Sequence, residues 1–174
     1  MQAPRKHVGI PDRFRPTLAR RLERRGSGMA CAKRGDDNAS FRLPAGVAMT
    51  DIPPSSNRPL QCLSGSCHCD SVRFEIESDF PELTTCDCSI CSRKNALMVK
   101  VHESRFKLLA GAESLTEYRF HTLTARHYFC KVCGIYPFHR KRVTPDFVGV
   151  NVYCLDGFDP AGIPVRATVG AGMA

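Results

Sequence analysis

Seven of the ten cysteines in this chain of 174 residues fall into three tight groups. The stretch "TTCDCSICSRK" carries Cys86, Cys88 and Cys91 as C-x-C-x-x-C, Cys67 and Cys69 form C-x-C, and Cys130 and Cys133 form C-x-x-C. In an extended chain residues i and i+2 point to the same side, so C-x-C sets two sulfurs on one face. In C-x-x-C the chain turns between the cysteines, and two thiolates can meet one ion. Gly134 follows the second cysteine of "CKVCG", where a tight turn calls for positive φ.

Zinc takes four ligands in a tetrahedron and structural sites fill all four, so seven thiolates divide as four plus three. The four-thiolate site is most directly built from Cys67, Cys69, Cys130 and Cys133, because that set clips the start of the domain to a late hairpin. Spacing leaves a second allocation open, in which Cys88 and Cys91 join Cys130 and Cys133 and leave Cys67, Cys69 and Cys86 over. In the first allocation Cys86, Cys88 and Cys91 give three protein ligands and an open position, the arrangement of a zinc that does chemistry. A fourth ligand would close that site instead, and the candidates are Cys154, His68, His102 and His139. A redox pair fits less well, since a thioredoxin-type C-x-x-C opens a helix in a βαβ pattern that this sequence lacks. Cys31 and Cys62 receive no role, and Cys154, in "NVYCLDGFD", reads as a small buried hydrophobe.

The elements that must position these cysteines are strands. From Leu63 onward the sequence alternates with period two: Val72, Phe74 and Ile76 share one face, and Arg73, Glu75 and Glu77 the other. Further strand candidates are 96–101, 106–109, 117–122, 126–129 and 147–153, separated by turn-forming stretches such as "SDFPE", "AGAES" and "RVTPDF". Helical periodicity is confined to a turn near Ile90 to Asn95. A mostly β, mostly antiparallel domain over 61–165 follows, with a flexible C-terminus over 166–174. A hydrophobic content of 43% is enough for a core.

The net charge of +8 is located before the domain. Residues 1–35 hold ten Lys and Arg against Asp12 and Glu23, whereas the remainder holds fifteen of each sign. Residues 1–60 are rich in Arg, Pro, Gly and Ser with few large apolar side chains, and such a stretch is expected to be a disordered extension. Nucleic acid or another polyanion is expected to engage only this tail, through counterion release. A tethered, non-enzymatic zinc module is therefore the alternative to an enzyme. No run of about 18 apolar residues appears, so no membrane span is expected. The absence of a secretory-type apolar stretch points to a cytoplasmic, reducing compartment, where ten cysteines favour metal over disulfides.

At "GSCHCDSVRFEI", "CDCSICSRK", "HYFCKVCGIYPF" and "GVNVYCLDGFD" the chain resembles the glutathione-dependent formaldehyde-activating enzyme family, whose eukaryotic branch includes centromere protein V. The resemblance runs from about Leu63 to Pro160. It implies a tent-like arrangement of small antiparallel sheets, a structural zinc on Cys67, Cys69, Cys130 and Cys133, and a catalytic-type zinc on Cys86, Cys88 and Cys91. It also implies a carbon–sulfur lyase that joins glutathione and formaldehyde into S-hydroxymethylglutathione. Beside that resemblance, Arg93, Lys94 and Arg126 are the sequence's candidates for holding glutathione carboxylates. Asp70 stands where the family commonly carries Gly after the C-x-C, and Asp tolerates left-handed turn geometry.

Because the basic charge lies outside the neutral domain, deleting residues 1–50 is expected to leave the thermal unfolding transition and the metal content unchanged. Differential scanning calorimetry of the truncated and full chains checks this, and a lowered transition would show that the tail takes part in the fold.

Overall fold

The computed structural model describes residues 57–170, so the expected extension over 1–60 lies outside the described residues up to residue 56. In chain order the elements are β1 (Gln61–Ser66), β2 (Arg73–Ser78), β3 (Leu83–Cys86), α1 (Cys91–Lys94), β4 (Met98–His102), β5 (Phe106–Ala110), β6 (Leu115–Tyr118), β7 (Arg126–Cys130), β8 (Phe138–Arg140), β9 (Phe147–Asn151) and β10 (Val165–Thr168). They form a three-stranded sheet, β1-β2-β5, and a seven-stranded sheet, β10-β3-β4-β9-β8-β7-β6. The protein is mostly β, as its sequence pattern requires. No helix among the described residues is long and apolar enough to cross a membrane.

The period-two pattern explains how the sheets meet. On β2, Phe74 and Ile76 are buried and the residues between them are not. Across the larger sheet the register sets Leu83 opposite Val99, Val99 opposite Val150, Val150 opposite Phe138 and Phe138 opposite Tyr128. That row is the apolar face. Phe74 of β2 and Phe106 of β5 meet Phe138 of β8 at ring-centroid distances of 5.6 and 4.8 Å, both edge to face. Three aromatic rings thus couple the two sheets, each aryl pair adding about 0.5–1.5 kcal/mol beyond the area it buries.

A shift of one residue along each strand selects the opposite face. It carries Thr84 and Cys86 of β3, Met98 and Lys100 of β4, Gly149 of β9, His139 of β8 and His127 of β7. Cys86, His127 and His139 therefore lie on the face turned away from the aromatic core, whereas Cys130, two residues beyond Tyr128 on β7, lies on the core face and is buried.

Two segments depart from the sequence pattern. Only Leu115–Tyr118 pairs in the region of the 117–122 candidate, and His121 and Leu123 take left-handed backbone angles, φ 51° and 57°, in the connection to β7. Residues 165–168, at and beyond the expected domain end, form a strand that pairs parallel with β3. Its exposed "VRAT" has no apolar alternation to announce it. The strand is held by the ladder, by the Arg166–Glu82 ion pair and by the Thr168 hydroxyl, which donates to the Thr85 carbonyl at 2.6 Å.

Phe138 is 1% exposed at the point where three rings meet. Phe138→Ala is expected to lower the unfolding free energy by about 3–5 kcal/mol, measurable by urea titration. A loss under about 1 kcal/mol would mean that the sheets are not coupled there.

Candidate active site

The first cysteine group is assembled by two turns. After β1 the chain folds back so that the Asp70 N–H donates to the Cys67 carbonyl at 3.1 Å, and Asp70 takes φ 59°. The left-handed conformation tolerated by Asp is thus used here. After β7 the Gly134 N–H donates to the Cys130 carbonyl at 2.7 Å with φ 75°, the turn that glycine makes without steric cost. These turns bring Cys67, Cys69, Cys130 and Cys133 together with all four sulfurs within 4.8 Å of one another. The sulfurs of Cys67 and Cys69 are 3.5 Å apart, and those of Cys69 and Cys130 are 3.7 Å apart. Sulfurs at the corners of a tetrahedron with 2.3 Å bonds are spaced by about 3.8 Å, so the donor set and its spacing fit zinc.

Burial pushes the Cys67 thiol well up and raises that of Cys130. Burial opposes ionisation of Cys69 as well, but hydrogen bonding with Ser71 brings its thiol down to about 7. Cys154 is buried nearby, its thiol pushed up to about 11 by burial, and it joins neither cysteine group.

The second group sits at the end of β3. Cys86 closes that strand, Cys88 lies in the turn and Cys91 opens α1, and their sulfurs also lie within 4.8 Å of one another. The turn is wound by the Ser92 N–H donating to the Cys88 carbonyl at 3.0 Å and the Lys94 N–H donating to the Ile90 carbonyl at 3.1 Å. Among the described residues no fourth Cys, His, Asp or Glu joins this triad. Cys154, His68 and His102, considered from sequence as fourth ligands, lie elsewhere: His68 is exposed, and His102 bonds the Ser104 hydroxyl at 2.8 Å. The second allocation, which would join Cys88 and Cys91 to Cys130 and Cys133 and leave Cys67, Cys69 and Cys86 over, is not the grouping the fold makes.

The triad is shielded on one side by the chain beyond β10. A Cβ at Gly170 would lie 2.6 Å from the Cys88 Cβ and 2.7 Å from the Cys86 sulfur, so only glycine lets this backbone lie against the two cysteines. The Gly170 N–H donates to the Asp87 carboxylate between them. Burial pushes the Cys91 thiol up to about 12. For Cys88 burial acts in the same direction, but hydrogen bonding with Cys91 and with Cys86 lowers its thiol overall, so Cys88 is the more acidic of the two.

Four further polar residues pack beside the triad: Lys94 and His139, considered from sequence as a carboxylate holder and a fourth ligand, and His127 and Tyr136, which the sequence reading did not single out. Lys94 leaves the end of α1 and turns inward, with Nζ 2.9 Å from His127 Nδ1 and 3.7 Å from the centroid of the Tyr136 ring. The Tyr136 hydroxyl lies 2.5 Å from His139 Nδ1, and the His127 and His139 rings stack at 5.5 Å. Gly149 makes room for the second imidazole, since a Cβ there would meet His139 Cε1 at 2.3 Å. Burial lowers His127 to about 4 and holds His139 well below the usual histidine range, so both rings are neutral at pH 7. Burial also brings the Lys94 amine down to about 8, while the three triad sulfurs work in the opposite direction. Arg93 and Arg126, by contrast, are exposed. The signal that could have found the cluster is positional, because His127 and His139 are cross-strand partners on the face that carries Cys86.

A separate cavity of about 380 Å³ is lined by Arg58, Leu63, Phe80, Phe158 and Ile163 among others and contains none of the clustered cysteines. The Arg58 guanidinium in it donates to the Phe80 carbonyl at 2.8 Å.

The family model of the glutathione-dependent formaldehyde-activating enzyme matches residues 62–167, which hold both cysteine groups and the polar cluster. The chain belongs to that family. It is also similar to a crystal structure of a Rhodobacter sphaeroides protein, with 41% sequence identity, a TM-score of 0.56, and coverage of 59% of this chain and 99% of that one. In this formaldehyde-activating-enzyme domain the two cysteine groups differ in setting, one tying β1 to the turn after β7 and the other lying in a single loop.

That difference predicts different costs. Cys133→Ser is expected to lower the thermal transition as far as strong chelation does, and Cys88→Ser to lower it less. Near-ultraviolet dichroism recorded during melting reads both, and an unchanged transition under strong chelation would remove metal from the account of stability.

Proposed function

We propose that the protein is a cytoplasmic, zinc-dependent carbon–sulfur lyase that joins glutathione, or a similar thiol, to formaldehyde and also runs the reverse cleavage. The observation that carries this reading is the three-thiol site without a fourth protein ligand among the described residues, in a chain of the formaldehyde-activating family. Cys67, Cys69, Cys130 and Cys133 would hold a structural zinc, and Cys86, Cys88 and Cys91 a catalytic one. When bound at the triad, zinc supplies an open coordination position that acidifies a thiol and polarises a carbonyl.

The chain's own residues supply the surroundings. Lys100 and Lys141 carry positive charge on the triad's side of the larger sheet, where burial is the main cause lowering the Lys141 amine and Cys86 and Cys91 oppose it. A thiol that itself carries carboxylates is drawn to such a surface. The Gly170 backbone covers Cys86 and Cys88 from one side. In the addition a sulfur–carbon bond forms, the π pair of the carbonyl moves to oxygen, and the proton given up by the thiol ends on that oxygen. No oxidant or reductant is consumed.

Magnetisation-exchange NMR between free glutathione plus formaldehyde and their adduct tests the reading. Zinc-loaded protein is expected to accelerate the interconversion over the spontaneous rate, and Cys88→Ser to abolish the acceleration. No acceleration by protein shown to carry two zinc ions would replace the lyase with the tethered zinc module.

A further inference from the structure

Lys94 is held in a way that a surface lysine is not. An ammonium has no lone pair, so in its bond to His127 the lysine donates, and Nδ1 of the imidazole accepts at 2.9 Å. The proton of the neutral ring then sits on Nε2. That atom is fully buried and has no hydrogen-bond partner among the described residues, on a histidine that is only 4% exposed. The fold thus leaves one buried imidazole nitrogen unsatisfied while presenting the other to Lys94. A second side of the ammonium is covered by the Tyr136 ring at 3.7 Å, and the phenol is anchored in turn by its bond to His139. No carboxylate pairs with Lys94 among the described residues, so its remaining N–H groups are not committed to a counter-ion. Lys94 closes the short helix that Cys91 opens, three positions further on and so on the same helix face, which sets the amine next to the triad loop.

Resting on the lyase reading, we infer that Lys94 is a further catalytic residue of the triad site: its ammonium, aimed by His127 and Tyr136, donates a hydrogen bond to the aldehyde oxygen that becomes negative as a thiolate adds. The thiolate sulfur forms the new bond to carbon, the carbonyl π pair passes to oxygen, and Lys94 stabilises that oxygen until it takes up the proton released by the thiol. In the reverse direction the same contact holds the alkoxide from which the carbonyl reforms as the carbon–sulfur bond breaks. His127 and Tyr136 are positioning residues, acting on the reaction only through the orientation of the amine. A fixed cation aimed at a developing oxyanion needs no reorganisation during the step, and removal of one such donor costs about 10²–10³-fold in kcat.

The test uses the zinc-loaded full-length protein, with glutathione and formaldehyde as reactants. Lys94→Met is expected to reduce kcat by about 10²–10³-fold with the glutathione KM and the zinc content unchanged, and Lys94→Arg to recover part of the loss. A second readout is independent of turnover. In nitrogen-15 NMR of the imidazoles, the His127 Nδ1 resonance of the native protein should carry the shift of a hydrogen-bonded acceptor and lose it in Lys94→Met. If the native protein accelerates exchange and Lys94→Met does so equally, the role of Lys94 is overturned while the lyase stands. A raised glutathione KM at unchanged kcat would assign Lys94 to thiol binding and overturn the oxyanion role. Should the native protein itself fail to accelerate exchange, the lyase reading falls and takes this role with it. A variant that melts early or has lost zinc is replaced by His127→Gln, expected to lower kcat at unchanged KM by misdirecting an intact Lys94, with an unchanged kcat counting against the proposal.

Discussion

Each strand of the larger sheet serves two faces, and the allotment of side chains between them is the constraint on which the molecule depends. Leu83, Val99, Val150 and Phe138 form one row, and the residues next to them in sequence point the other way. The apolar row has somewhere to go because β2 and β5 bring Phe74 and Phe106 down on it. With that face dry and closed, the opposite face can carry groups that would be costly in a core: a cysteine triad, two imidazoles and an amine. A slip of one residue in any of the central strands would exchange the two sets.

The cysteine groups follow from this frame in different ways. Cys67 and Cys69 lie past the end of the smaller sheet, and Cys130 and Cys133 at the end of a strand of the larger one, so their meeting ties the two sheets at a rim. Packing several thiols within 4.8 Å of one another is unfavourable once more than one of them ionises, since burial and like charge then both oppose the second thiolate. The opposing directions of Cys67 and Cys69 express that tension within one group. Metal binding relieves it, which is why metal and fold are coupled in small domains of this type. The triad makes no such tie. It lies within one loop and is shielded by a glycine backbone from the far end of the domain.

The polar cluster beside the triad shows how burial changes what ordinary side chains do. An exposed lysine is a hydrated point charge with a flexible stem. Lys94 is held between the imidazole of His127 on β7 and the phenol ring of Tyr136, which precedes β8 and is anchored by His139 of that strand. Neutral histidines are the suitable neighbours, because a second cation there would repel the amine; burial keeps His127 and His139 uncharged. Nε2 of His127 is buried without a hydrogen-bond partner among the described residues, while Nδ1 of the same ring faces Lys94.

Much of this was legible in the sequence. Alternation in "VRFEIE" and "FVGVNVY" announced strands because one wet and one dry face leave a period-two record. Three cysteine spacings announced groups able to hold a metal, because C-x-C and C-x-x-C bring sulfurs together locally, whatever the rest of the chain does. The left-handed turns at Asp70 and Gly134 could be anticipated from residue type, since glycine has no Cβ and Asp tolerates that geometry through local hydrogen bonding. What only the tertiary structure decided are the relations between distant segments. β10 has no apolar pattern and exists because β3 offers it a ladder; Gly170 matters only because it lands on Cys86 and Cys88. Arg93 and Lys94 are neighbours of similar chemistry, yet one faces water and the other a buried imidazole on a strand more than thirty residues away. Local spacing is recorded in the order of residues, whereas such contacts depend on strand register across the whole sheet, and no single segment carries that information.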